Sequence, residues 1–179
     1  MKKILATISM VFGVLFLVSC SLGSPSNTGD RSSDKSLETD EYKFNSSNAY
    51  LAAIAIAAAW DLDKDLNKNL KYVSIDTDTF MDFSKDDTAE LFNYISKKYN
   101  VIPLDMNMDE LEEAGYVKDG EFVNGIVYDV SSYKEYSKNS VSFRGRKRRS
   151  NLGAIGFTFE AIKVKEKWVV IKSSVNWIY

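Results

Sequence analysis

Residues 144–149 read Arg-Gly-Arg-Lys-Arg-Arg, five cations in six positions on a chain whose formal net charge is −2. Guanidinium and ammonium groups at this density hold anions. Arginine does so through a planar fork that meets carboxylate or phosphate in two hydrogen bonds. Four arginines to one lysine favour specific recognition over diffuse attraction. Arg144, Arg146, Lys147, Arg148 and Arg149 are therefore the candidate contact residues. The anion is either a surface, such as lipid headgroups or a polyanionic wall polymer, or an acidic protein of the cell envelope. The competing reading is structural: a solvated strand end that blunts edge pairing, or cations that pair with acids elsewhere in the fold.

Other reactive chemistry is thinly supplied. The chain has no histidine. It therefore lacks the commonest general base, the commonest zinc ligand and every Ser-His or Cys-His arrangement. No phosphate loop, nucleophile elbow or His-Glu-x-x-His motif occurs. A carboxylate pair can do acid–base work, but nothing singles one out among 25 acidic residues. The expectation is a non-enzymatic protein without cofactor or metal, with a carboxylate-dependent hydrolase as a remote third reading. Asp61, Asp63 and Asp65 match the first three ligand positions of a calcium loop. However, Leu66 stands where the turn needs glycine and Tyr72 where the ion needs a bidentate glutamate. The stretch reads as a polar helix end and connector, and "DTDTFMD" at 76–82 has no better geometry.

The one cysteine, Cys20, sits at the end of a different signal. Met1-Lys2-Lys3 is a basic start and residues 4–19 are almost wholly apolar. That run is short against the roughly 20 residues that cross a bilayer, so 1–19 reads as an export signal. Leu17-Val18-Ser19-Cys20 resembles the bacterial lipobox. That resemblance implies transfer of a diacylglyceryl group to the Cys20 thiol, cleavage before Cys20 and acylation of the new N-terminus by a palmitate-like chain. Each buried methylene would contribute about 0.8 kcal/mol to anchoring. The location implied is the outside of the cell membrane or the outer membrane, held by lipid. Removing Lys2 and Lys3 leaves 21 basic against 25 acidic residues, a net charge of −4. Nucleic acid is not an expected partner.

The elements that must position these groups follow. Segment 20–45 is rich in Ser, Asp, Gly and Thr and reads as the lipidated cysteine and a flexible tether, reaching about 25–30 Å. Residues 46–179 form one domain. Ser46-Ser47-Asn48 caps an alanine-rich helix, 49–62, apolar around most of its surface. A short strand is expected over 70–76. A helix opened by Ser84 carries Leu91, Phe92, Ile95 and Tyr99 at helical spacing, and a brief strand follows at 101–104. Asn107, Glu110 and Gly115 mark the cap, capping box and stop of a third helix. From Glu121 the apolar period changes to two. Strands are expected over 121–136, through "NSVSFRGRK", over 154–165 and over 167–179, with a tight hairpin at Lys165-Glu166-Lys167. Alternation would send Arg144, Arg146 and Arg148 to one face and Lys147 and Arg149 to the other. The fold class is α+β, with N-terminal helices packed on a C-terminal antiparallel sheet of about four strands. Trp60, Trp168 and Trp177 read as core or sheet-face anchors.

Several stretches together resemble a group of small exported bacterial lipoproteins. They are "YVSIDTDTFMDFS", "KYNVIPLDMNMDELEEAGYVKDGEF" and "SNLGAIGFTFEAIKVKEKWVVIKSSVNWI". The most specific piece is Leu152-Gly153-Ala154-Ile155-Gly156 followed by Trp168 and Trp177. The chain departs from the group in ending Trp-Ile-Tyr and in its basic run. The order of elements also looks like the cystatin-like or nuclear-transport-factor-like cone, a fold analogy that carries no function. The resemblance assigns no catalytic residue. The function expected is a membrane-anchored, non-enzymatic binding module of the cell envelope. The alternative is a small-molecule or peptide binder with a pocket between helix 49–62 and the sheet.

Overall fold

The computed structural model describes residues 42–80 and 83–179. Cys20, the export signal and most of the segment read as tether lie outside the described residues. Tyr42 and Phe44, at the end of that segment, pack against the domain core.

Among the described residues there are three α-helices: α1 (Ser47–Trp60), α2 (Lys85–Tyr99) and α3 (Met108–Glu113). Each begins where its cap residue dictates. The Ser46 side chain accepts from the amides of Asn48 and Ala49. Ser84 with Asp87, and Asn107 with Glu110, form capping boxes. In this way the orphan N–H groups of the first turn find acceptors. Ala49 and every residue from 51 to 59 are buried, so α1 is enclosed on all sides. Among the described residues, no helix is long and apolar enough to cross a membrane.

The strands are β1 (Tyr72–Ile75), β2 (Ile102–Leu104), β3 (Val117–Lys118), β4 (Glu121–Phe122), β5 (Gly125–Ser137), β6 (Ser140–Arg148), β7 (Ala154–Val164) and β8 (Lys167–Ile178). The fold is α+β, and its main sheet has six strands rather than about four, in the order β2-β1-β5-β6-β7-β8. Strands β5 to β8 form the expected antiparallel meander. The two short strands at 72–75 and 102–104 extend it by parallel pairing, β1 against both β5 and β2. The physical reason is the connection: α2 carries the chain from β1 back to the start of β2, and such a crossover requires parallel neighbours. The expected strand over 121–136 is also divided. Asp119 and Gly120, both at positive φ, close a small β3–β4 hairpin, and Asn124 at φ 56° turns the chain into β5.

Two cores lie on opposite faces of the sheet. Ile126, Tyr128, Phe143, Phe157, Phe159 and Trp168 join α1 and α2 in the larger one. Val127, one residue out of phase, joins Leu111 of α3 and Phe122 of β4 in a smaller one. With both faces covered there, β5 is buried continuously from Gly125 to Asp129. The second core covers only the β2-β1-β5 end. Over β6, β7 and β8 the face opposite the two long helices carries Arg144, Arg146, Thr158, Glu160, Lys172, Ser174 and Trp177, none of them buried.

Candidate functional site

Strand alternation sorts the basic run. Along β6, Val141, Phe143, Gly145 and Lys147 are buried on the helix face, while Arg144 and Arg146 are exposed on the open face and Arg148 is half-buried there. The expected division of Arg144, Arg146 and Arg148 from Lys147 is the one found. Its consequence for Lys147 is burial, not display.

Lys147 has no exposed surface. Its ammonium donates to the carbonyl oxygens of Trp60 at 3.2 Å, Leu62 at 2.8 Å and Asp63 at 3.0 Å. These are carbonyls at and beyond the C-terminus of α1, where acceptors are left over and the helix dipole is negative. Three ammonium protons meet three acceptors. Burial pushes its pKa down to about 8, with Asp63 and Asp61 acting the other way. Lys147 is therefore corrected from a contact residue to a buried cap on α1.

Arg146 and Arg148 hold an internal partner. The Arg146 Nε lies 2.7 Å from Asp129 Oδ1 and the Arg148 Nε 3.5 Å from Oδ2. Asp129 is directly opposite Arg146 on β5 and its side chain is 2 % exposed, so both cations serve a carboxylate that cannot reach solvent. Removing such a partner would strand a buried charge, at about 3–5 kcal/mol. Arg149 donates to the carbonyls of Lys68 at 2.7 Å and Gly125 at 3.2 Å and lies 3.9 Å from a Glu121 carboxylate oxygen. It ties the connector after α1 to the start of β5. Arg144 is exposed, and among the described residues no acid or acceptor meets its guanidinium.

The open face still carries free positive charge. Lys134, opposite Ser142 on β5, is exposed beside Arg144, and its ammonium sits 4.6 Å from the Tyr136 ring centroid. Of the acids there, Asp129 is held by Arg146 and Arg148, and Glu160 by Lys172 at 3.2 Å. Arg146 is 44 % exposed in spite of its ion pair. One row crosses four strands: Asp129, Arg146, Gly156 and Trp177. A Cβ on Gly156 would run into the Trp177 indole, which occupies that space. Beside it Thr158 and Asn176 are hydrogen-bonded at 2.9 Å. Lys134 was not expected in this set; period-two counting from β6 to its hairpin partner is the signal that finds it.

The acidic stretches serve the backbone. Asp61 ends α1, and Asp63 accepts from the Asp65 amide to start a single 3-10 turn over 64–67. Lys64 and Lys68 pair with Asp61 and Asp65. Thr77 donates from its amide and hydroxyl to Asp105. Asp76 is raised above the usual carboxylate range by burial and by the nearby Asp129, Asp78, Glu110 and Asp105. Among the described residues no group of acidic, histidine or cysteine side chains converges as metal ligands. α1 and the sheet pack against each other in the larger core. An open depression of about 600 Å³ lies instead at the start of α1 and α2, lined by Tyr42, Asn45, Ser46, Asp86, Ala89, Glu90 and Asn93. Trp60 stacks on Tyr99 at 3.8 Å, and the Trp168 indole donates to Ser47, so both indoles anchor α1.

No family model, curated protein or solved structure matches the chain.

Proposed function

We propose that the protein is a lipid-anchored, non-enzymatic binding module of the bacterial cell envelope whose open sheet face meets an anionic surface. The observation that carries this reading is the residual charge of that face. Lys134, Arg144 and the exposed part of Arg146 stand together, while Asp129 on that face is shared by Arg146 and Arg148, and Glu160 is held by Lys172. Each basic group near a negatively charged bilayer contributes about 1 kcal/mol. The acylated Cys20 of the sequence reading would hold the face within reach of headgroups. The contact set is Lys134, Arg144 and Arg146. Lys147 and Arg149 fall outside it because their donors are used within the fold.

Co-sedimentation of residues 40–179 with liposomes of anionic lipid, in low and moderate salt, tests the proposal. The informative variant is Lys134→Ser with Arg144→Ser, which touches no buried partner. Binding that weakens with salt and falls about tenfold or more in the variant is expected, from two lost contacts. Equal binding by wild type and variant, or none by either, would overturn the anionic-face reading.

A further inference from the structure

We propose that β8 is a self-pairing edge: two copies of the chain join antiparallel along β8 about a two-fold axis through Ser173. The inference rests on the fold alone and is independent of the anchor and of the anionic face.

β8 is the last strand of the main sheet, and among the described residues no strand pairs with its outer side; at its start the Trp168 carbonyl accepts from the Tyr50 hydroxyl. The strand is 12 residues long, about twice the length of a usual strand. Edges are ordinarily blunted by shortness, proline, lysine or bulges, and of these β8 carries Lys167, Lys172 and two bulges. This strand has no proline, and its apolar side chains are displayed: Val169, Ile171, Val175, Trp177 and Ile178 are all at least 37 % exposed. These displayed side chains form an apolar row that a paired strand would cover.

The occupant is indicated by the arrangement of those residues. Val169 and Ile171 precede Ser173 by four and two positions, and Val175 and Trp177 follow it by two and four. Antiparallel pairing about Ser173 sets Val169 against the partner's Trp177 and Ile171 against the partner's Val175. Directly opposed side chains must share a face of the joined sheet. Two shifts of register against β7, after Val170 and after Val175, reset the alternation along β8. They fall on either side of Ser173. Val169 and Trp177 therefore lie on the open face, opposite Ile162 and Gly156, while Trp168 and Ile178 lie on the helix face, opposite Lys163 and Ile155. Each meets a counterpart on its own side. Lys172 faces the partner's Ser174 and does not oppose itself. An axis through Lys172 would place like charges together, which disfavours a pair, and would set open-face Val169 against helix-face Val175. The product is a continuous sheet built from two six-stranded halves.

Cysteine crosslinking of the full chain in detergent tests register and symmetry together. Facing Cα atoms across a ladder are about 4.5–5.5 Å apart, within disulfide range. Ser173→Cys should give an oxidised dimer. Val169→Cys should not, because its copies would be eight residues apart along the strand, about 27 Å. Ile171→Cys and Val175→Cys should each stay monomeric alone and crosslink when mixed. Wild type, with Cys20 only, sets the background, and circular dichroism checks that each variant is folded. Absence of a dimer from both folded Ser173→Cys and the mixture would overturn the proposal, as would a peptide or other chain found on this edge. Dimers from every cysteine variant alike would also overturn it, because collision would then explain them.

Discussion

Lys147 shows how one position of alternation decides the use of a charge. Within the basic run only it points to the helix face, and there the leftover carbonyls of α1 receive it. The sequence reading separated Lys147 from Arg144, Arg146 and Arg148 correctly, but local pattern does not say which face is buried. That depends on where α1 ends relative to β6, a contact across 87 residues. Replacing the ammonium by a methyl-ended chain, as in Lys147→Met, leaves those carbonyls unsatisfied and should cost roughly 1–3 kcal/mol at neutral pH. The pH dependence has a definite sign. Burial lowers the folded-state pKa to about 8, below the ordinary 10.5 of an exposed lysine. Between those values the unfolded chain holds more protons than the folded one, so stability rises with pH across that window. Below about pH 8 both states are protonated and the burial penalty is fully present. Urea unfolding of wild type and Lys147→Met at pH 7.5 and 9.5 should show the difference growing in favour of wild type at the higher pH, on the order of 1–2 kcal/mol.

Elements with a local signature were legible in the sequence. Caps located α1, α2 and α3, because a capping side chain and its amide lie within three residues of each other. The meander from β5 to β8 was legible for a similar reason: alternation and tight turns are short-range. Parallel pairing of β1 with β5 was not, since Tyr72 and Gly125 meet across α2, α3 and the small hairpin. The Asp119-Gly120 turn is a readable signal, but the strand before it, Val117–Lys118, has two residues and is too short to show alternation. The pattern Gly156…Trp177, first noted as a resemblance, has a packing cause. The indole occupies the volume of a Cβ on the neighbouring strand. Gly156→Val should cost about 1–3 kcal/mol by overpacking. Combined with Trp177→Ala, it should cost less than the two single changes summed, and a double-mutant cycle in urea measures that coupling.

On the scale of the whole molecule, charge was informative about class and uninformative about place. Twenty-three basic residues against 25 acidic ones excluded a globally cationic protein, but most of the basic run proved to be occupied by Asp129 and by backbone carbonyls. Which cations remain free is a property of tertiary pairing. The anchor proposal belongs at this scale too. Metabolic labelling with a palmitate analogue should mark the full wild-type chain in the membrane fraction. Cys20→Ser should lose the label and leave that fraction, and an unlabelled wild type would remove the anchor from the account. The first helix closes against the last strand: Tyr50 donates to the carbonyl of Trp168, 118 residues later. A ribosome adds roughly 5–20 residues per second. About 6–24 s therefore pass between synthesis of α1 and synthesis of the strand that encloses it. During that interval the apolar, alanine-rich segment has only part of its native cover, from α2 and the earlier strands, so a nascent chain paused before β8 still displays apolar surface to holdase chaperones and to aggregation.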